Sequence, residues 1–287
     1  MVENLITIGI ATKNRHEELN VTLRAVRSGP LRDCRIIVVD DGSEPAIQID
    51  EEIERVELVR HESSKDVAYS RNEIASLIRT PFWLTLDDDS YPTDIDLEAL
   101  IKLLENSRDV IAISFPFKEY VDDGWKWLNA SSKPSQYPVR TFVACSAVIN
   151  VRRFREIGGY SDWVYQFGEE SDLTLRAFKA GFLTIHSDSV KVQHNKVNIA
   201  RSMDRIEFFG ARNQILMALY YLPIRFIPLR IGKLICHHGR NLFLKAELKG
   251  VWGIFCGLVT GFTTFRRHRN SSLSVEEYCR FRDLPPS

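Results

Sequence analysis

Three consecutive carboxylates, Asp87-Asp88-Asp89, follow the apolar run Phe82-Trp83-Leu84-Thr85-Leu86 and precede Ser90-Tyr91-Pro92. Like charges at the end of a buried strand repel one another, and a divalent cation held through hard oxygen ligands is the usual compensation. A solvated acidic turn is the competing reading. Position favours the cation, because ligands of open α/β sheets bind outside the carboxyl ends of the strands. Three more groups have residue types suited to chemistry. In Val38-Val39-Asp40-Asp41-Gly42-Ser43 an apolar strand runs into two acids and a turn glycine, where a carboxylate can accept from a nucleobase imide or a ribose hydroxyl, or can simply cap the turn. In Gly168-Glu169-Glu170-Ser171-Asp172-Leu173 acids open a helix, as they do in many helices with no further role. His194 ends the alternating segment Val190-Lys191-Val192-Gln193 and offers an imidazole, which on its own is more often a packed or surface residue than a metal ligand.

The elements that must position these groups alternate from the start. Residues 5–11, 35–39, 56–60, 82–86 and 110–115 read as strands; 17–26, 67–78 and 96–105 read as helices. That alternation predicts an α/β fold with a mostly parallel sheet flanked by helices. Residues 118–139, polar and aromatic with Gly124, Pro134 and Pro138, read as a loop, and 142–151 as a return to the sheet. A helix is expected from Glu169 or Glu170 to Ala180, then short strands at 182–186 and 190–193. Beyond Asn195 the pattern is helical and amphipathic, which predicts a C-terminal helical extension.

The 287 residues, 44% of them apolar, suffice for one large core or two modest ones. The formal net charge is zero, but residues 195–287 hold fifteen Lys/Arg against six Asp/Glu, which leaves the first 194 at minus nine. An acidic front half suits metal binding, and a basic, aromatic tail suits anionic lipid, a phosphorylated acceptor or a protein partner; no nucleic-acid partner is expected. Cys34, Cys145, Cys236, Cys256 and Cys279 are odd in number and form no CxxC pair, which argues for a reducing compartment and against a disulfide framework or zinc site. The N-terminus lacks the basic region of a signal peptide, and no span is long and apolar enough to cross a bilayer. A cytoplasmic protein is expected, with peripheral contact at the inner face of the membrane as an open option.

The order of these groups resembles glycosyltransferase family 2, the nucleotide-sugar-dependent enzymes of GT-A fold. Ile8-Gly9-Ile10-Ala11-Thr12-Lys13-Asn14-Arg15 is similar to the family's first strand and its Thr-x-Asn-Arg ending, and residues 38–43 to its Asp-Asp-Gly-Ser motif. Ala68-Tyr69-Ser70-Arg71-Asn72 resembles the Ala-x-x-Arg-Asn helix start, and residues 86–92 the Asp-x-Asp-x-x-Pro pattern. Residues 154–160, then Gly168-Glu169-Glu170 and Asp172-Leu173 with Arg176, resemble the acceptor-side motif. The resemblance implies a GT-A catalytic domain over 1–194, with the nucleotide part about 1–115 and the acceptor part about 116–194, and a basic amphipathic helical region over 195–287.

It further implies inverting transfer from a UDP or dTDP sugar to a hydroxyl of a saccharide or lipid-linked acceptor, in surface polysaccharide or glycoconjugate synthesis. Asp41 would recognise the uracil or thymine imide, with Thr12, Asn14 and Arg15 lining the nucleotide site and Arg71 near the base or phosphates. Asp87 or Asp88 would hold the ribose. Asp89 would hold the divalent metal (Mn²⁺ or Mg²⁺), and His194 would approach the metal or diphosphate. Glu170 aligns with the catalytic base, where many relatives carry Asp. Trp125 and Trp127 could stack on an acceptor sugar or anchor their loop.

Rival classes fit less well. A haloacid-type phosphatase needs Thr where Tyr91 stands, and needs its aspartates after the first strand. A receiver module is shorter, and a sugar nucleotidyltransferase would carry a glycine-rich loop where Thr12-Lys13-Asn14-Arg15 stands. A non-catalytic glycan- or nucleotide-sugar-binding relative is the alternative, and the two retained acidic clusters argue against it.

Overall fold

In the computed structural model, which describes residues 1–129, 136–164, 166–196, 203–245, 248–263 and 272–286, strands and helices alternate around a central β1 (Ile6–Thr12). Helix α1 (His16–Ser28), strands β2 (Arg35–Asp40) and β3 (Val56–Arg60), helix α2 (Val67–Leu77) and strand β4 (Phe82–Asp87) follow in order. β1 and β2 are buried along almost their whole length, as parallel strands covered on both faces must be. One core layer joins Ile6, Ile8 and Ile10 to Leu19 and Leu23 of α1, and to Leu100 and Leu103 of α3 (Leu97–Glu105). The other joins Ile37 and Val39 to Ile74, Trp83, Phe154 and Leu173. Gly9 sits where these layers are tightest: a Cβ there would lie 2.4 Å from both Ile74 Cγ2 and Trp83 Nε1, so only glycine admits α2 and the indole to the strand.

The register brings the acidic strand ends level. Thr12 pairs with Asp40 of β2, and Ala11 with Asp87 of β4, so three parallel strands present their carboxyl ends on one edge. The remaining strands are β5 (Ser90–Ile95), β6 (Val110–Ser114), β7 (Phe117–Val121), β8 (Gly124–Leu128), β9 (Gln136–Val139), β10 (Ala147–Asn150), β11 (Leu183–Ser187) and β12 (Val190–His194). The main sheet runs β3-β2-β1-β4-β10-β6-β11-β9, with β10 antiparallel between β4 and β6. This is the mostly parallel α/β architecture expected. A second sheet, β5-β12-β7-β8, stands beside it and brings His194 opposite Ser90, next to the Asp triplet.

The structure departs from the expected loop at 118–139, which carries the β7–β8 hairpin and strand β9. Asp122 and Asp123 both take positive φ (47° and 65°), which suits a two-residue hairpin turn between twisted strands. Strands β5 and β9 contain Pro92 and Pro138, tolerated because each strand lies at the edge of its sheet.

Four further helices complete the described chain after the short α4 (Val151–Glu156) and α5 (Glu169–Lys179): α6 (Met203–Tyr221), α7 (Ile227–Lys245), α8 (Leu248–Thr263) and α9 (Val275–Asp283). α8 lies directly on α6, since a Cβ on Gly257 would meet Phe208 O at 2.3 Å and one on Gly261 would meet Ile215 Cβ at 2.8 Å. α6 is tied to the segment before α5: Arg212 donates to Trp163 O at 2.8 Å, and Asn213 to Gln166 O and Phe167 O at 2.6 and 2.9 Å. Leu175, Leu216, Tyr220, Tyr221 and Leu273 form a third core that Phe281 of α9 joins. The described C-terminal helices therefore pack against α5 and the segment before it. Arg201 and residues 265–269 of the basic, aromatic tail lie outside the described residues.

Candidate functional site

Strand β4 delivers Asp87, Asp88 and Asp89 to the sheet edge, and three basic side chains meet them there. Arg15, just past β1, places Nη1 2.9 Å from Asp88 Oδ1 and 2.8 Å from Asp89 Oδ2. Thr12 Oγ1 donates to Asp88 Oδ2 at 2.8 Å, and Thr22 Oγ1 to the Asp88 carbonyl at 2.8 Å. Arg71, fully enclosed on α2, reaches Asp87 Oδ1 at 2.9 Å and Glu169 Oε1 at 2.8 Å, so one guanidinium links the strand end to the start of α5. His194 Nε2 lies 3.1 Å from Asp89 Oδ1 and 4.0 Å from Asp87 Oδ2.

These neighbours set the local charge. Burial pushes the Asp88 carboxyl up to about 7, against the downward pull of Arg15. Burial works to lower the His194 imidazolium, but Asp89, Asp87 and Glu119 outweigh it and the net shift is upward. His194 Nδ1 is 2.7 Å from Glu119 Oε1, a carboxylate buried on β7, whose other oxygen lies 3.6 Å from Lys196 Nζ. A carboxylate on Nδ1 selects the tautomer whose Nε2 lone pair is free to bind a cation.

Nε2 is a buried nitrogen without a hydrogen bond of good geometry, and it faces two carboxylates. Donor atoms of Asp87, Cys145 and His194 lie within 4.8 Å of one another. The Cys145 thiol is fully enclosed, and burial together with Asp87, Glu119 and Asp89 pushes it well above its ordinary value. It stays protonated, so the competent donors are carboxylate oxygen and imidazole nitrogen, a set that suits Mn²⁺ or Mg²⁺ better than a soft metal. The residues present fit a divalent cation at Asp87, Asp89 and His194.

Across Arg71 stands Glu170, the second residue of α5. It is partly buried, and its Oε1 accepts from Ala144 N at 3.3 Å. Burial first, and then the neighbouring Glu169, push its carboxyl above the ordinary range, with Arg71 opposing. A carboxyl so placed can hold and release a proton near neutrality, as a general base must. Glu169 Oε2 is buried without a hydrogen-bond partner in the structure.

The Asp40-Asp41-Gly42-Ser43 turn lies on the β2 side. Asp40 is the cap of this turn: its oxygens accept from Ser43 N at 2.8 Å and Ile47 N at 3.2 Å. Asn14, at φ 56°, joins β1 to the turn through Ser43 Oγ and Glu44 N, both at 2.8 Å. Asp41 is more heavily used than expected. Oδ1 accepts from Lys65 N at 2.7 Å and lies 2.9 Å from His61 Nδ1, while Oδ2 accepts from Ser64 Oγ at 2.5 Å and Asp66 N at 3.2 Å. That fills the four lone-pair directions of a carboxylate. Gly42, at φ 72°, makes room for this loop: a Cβ there would sit 2.8 Å from Ser64 N. Reading a base through Asp41 therefore requires the 61–66 loop to give up at least one of these bonds.

Nine of the ten residues singled out from the sequence lie in two adjoining clusters along one sheet edge, Asn14 and Asp41 in the second, and Glu170 faces the first from α5. Four participants escaped the sequence reading: Glu119, Cys145, Glu169 as the partner of Arg71, and His61, whose imidazole lies between Asp41 and Glu73. The alternation of Phe117 and Glu119 as inward-facing positions would have marked Glu119, had residues 117–121 been read as a strand.

A family model described as "Glycosyl transferase family 2" matches residues 7–158, just over half of the chain. The match takes in every cluster residue up to Asp89 but ends before Glu170 and His194. A curated relative, "Pre-mycofactocin glycosyltransferase" of Mycobacterium tuberculosis, is 26% identical over 221 residues, 71% of this chain and 46% of that protein. The chain thus spans about half the length of the curated relatives it matches. Among solved structures, GalNAc-T7 with UDP, GalNAc and Mn²⁺ aligns with a TM-score of 0.59 at 13% identity, covering 76% of this chain and 48% of that one. The mannosyltransferase PcManGT of Pyrobaculum calidifontis, in complex with GDP-Man and Mn²⁺, aligns with a TM-score of 0.55 at 12% identity, covering 96% and 78%. At such identity the likeness is one of fold.

Proposed function

The chain belongs to glycosyltransferase family 2, and from that premise we propose that it transfers a sugar from a UDP or dTDP sugar to a hydroxyl of a saccharide or lipid-linked acceptor, with inversion at the anomeric carbon. The observation that carries this reading is the Arg71 bridge, which ties the aspartate strand end to the Glu169-Glu170 helix start. A divalent cation on Asp87, Asp89 and His194 would offset charge developing on the leaving diphosphate. Glu170 takes the proton of the acceptor hydroxyl as its oxygen bonds to the anomeric carbon. The bond from that carbon to the diphosphate breaks, and its electron pair leaves with the nucleotide. Attack and departure on opposite faces invert the carbon.

Thr12 and Arg15 fix Asp88 and keep two of the three carboxylates from repelling one another, and Asp88 is the ribose-holding candidate. Asp41 would accept the imide N3–H of uracil or thymine in place of a bond from the 61–66 loop. Adenine has no such donor, so UDP or dTDP should bind better than ADP. An Asp41→Ala variant with an unchanged preference would remove this residue from base recognition.

Hydrolysis of a panel of nucleotide sugars, with and without Mn²⁺, tests the class. Turnover of one donor that depends on the cation is expected. Nucleotide binding with no turnover of any donor would instead identify a non-catalytic binding relative. Work in surface polysaccharide or glycoconjugate synthesis follows if the acceptor proves lipid-linked.

A further inference from the structure

Beside the start of α5, on the face turned away from Arg71, lies a cavity of about 720 Å³, within the size range of small-molecule sites. Its walls come from α5, α6, the first turns of α7, and α9. Gly168, two residues before Glu170, lines it together with Ser171 and Thr174. Leu175, Met217, Leu222, Phe226 and Phe281 make its floor apolar. Arg140, Arg230, Lys233 and Arg282 stand around it, and no Asp or Glu is among the described residues that line it. Arg282 shares its charge with Asp283 at 2.9 Å; Arg230 and Lys233 are exposed and one turn apart on α7. An apolar floor under a cationic rim complements one kind of molecule, a hydrocarbon chain that ends in an anionic head.

We propose that this cavity seats the lipid part of the acceptor, an amphiphile whose hydrocarbon chain lies on the apolar floor, whose phosphate is held by Arg140, Arg230 and Lys233, and whose sugar carries the hydroxyl presented to Glu170. The proposal rests on the transfer reading above and narrows its acceptor to saccharides linked to a lipid through phosphate. Phe167 and Gly168 line the cavity and lead directly into the helix that carries Glu170, with Gly168 at φ 100°, so the cavity lies beside the start of that helix.

Gly210 supplies a clean test. It lines the cavity from within α6, and a Cβ on it would meet nothing within 4 Å, so a large side chain there fills the space without straining the helix. Binding of dodecyl phosphate, butyl phosphate, inorganic phosphate and uncharged dodecyl maltoside would be measured by calorimetry on the full chain, below micelle-forming concentrations. Dodecyl phosphate should bind at least about tenfold more tightly than butyl phosphate, since each buried methylene adds to the transfer free energy. Gly210→Phe should lower dodecyl phosphate affinity by about tenfold or more, while UDP binding and donor hydrolysis to water stay unchanged. Gly210→Leu, a smaller plug, should fall between. The double variant Arg230→Glu/Lys233→Glu should weaken dodecyl phosphate but leave dodecyl maltoside unaffected. Equal affinity for butyl and dodecyl phosphates, or undiminished dodecyl phosphate binding in Gly210→Phe, would overturn the proposal. Chain-length-dependent binding in a protein that hydrolyses no donor would support the cavity and refute the transfer reading, so the two fail separately.

Discussion

At the scale of single residues, Glu170 shows how one environment sets both activity and stability. Its carboxyl is held above the ordinary carboxylate range by burial and Glu169, so the folded protein keeps a proton that the unfolded chain has already released. Stability from this group is therefore greatest at acid pH and is lost as pH rises from the unfolded value through the raised folded one. Glu170→Gln should accordingly raise the melting temperature of the ligand-free protein at pH 8 to 9 and leave it nearly unchanged at about pH 4. It should also lower transfer by roughly 10²–10⁴-fold with nucleotide binding intact, as loss of a general base does. Equal loss of donor affinity by calorimetry would make Glu170 a structural cap. The parent's acid limb in kcat/KM should lie above the ordinary glutamate value and vanish in this variant. Asp89 is the proposed cation ligand at the aspartate strand end. Asp89→Asn should cost about two orders of magnitude or more in cation-dependent turnover, and near-normal activity would remove it from the cation site.

At the scale of elements, the β7–β8 hairpin matters because it carries Glu119 to the back of His194. Glu119 lies 2.7 Å from His194 Nδ1, and its proposed role is to orient the imidazole. Glu119→Gln should weaken Mn²⁺ binding by roughly 10–100-fold, the range typical of lost outer-shell partners, and should shift the pH at which the cation binds. Titration of Mn²⁺ by electron paramagnetic resonance, in the absence of any donor, checks this. A purely structural role would lower stability and leave cation affinity alone. This hairpin also marks the boundary of what is legible in the sequence. β1, β2 and β4 are buried on both faces and read as apolar runs, a pattern that predicts a parallel sheet whose carboxyl ends, acidic in β2 and β4, share one edge. The second sheet is half-exposed, with Lys118, Tyr120, Lys126 and Pro92 among its residues, and its alternation is too diluted to stand out from a loop. Pairings across tertiary distances, Arg15 with Asp88 and Asp89 or the 61–66 loop with Asp41, leave no local pattern at all. They depend on which turns come to lie side by side.

At the scale of the whole molecule, the C-terminal helices give the chain a second, non-catalytic face. Because α8 meets α6 through Gly257 and Gly261, its opposite side carries Trp252, Phe255, Val259 and Phe262 outward, the first two 68% and 56% exposed. Their spacing of three, four and three residues makes one continuous stripe on the helix. Ile224, Leu229 and Ile235 add exposed apolar surface around Arg225, Arg230 and Lys233. No helix of the described residues is long and apolar enough to cross a membrane. An apolar stripe accompanied by cations instead suits a helix lying in the interface of an anionic bilayer. The expected outcome is sedimentation with anionic vesicles that weakens as salt rises. Removing everything after Val251 would uncover the α6 surface that α8 covers, so substitutions are the better probe. Trp252→Ser and Phe255→Ser should each lower partitioning by about tenfold, with donor hydrolysis unchanged. Equal partitioning to neutral and anionic vesicles would remove the electrostatic part of this reading, and no binding at low salt would leave the stripe as the seat of a protein partner. Binding that survives both substitutions would place the contact elsewhere on the basic tail.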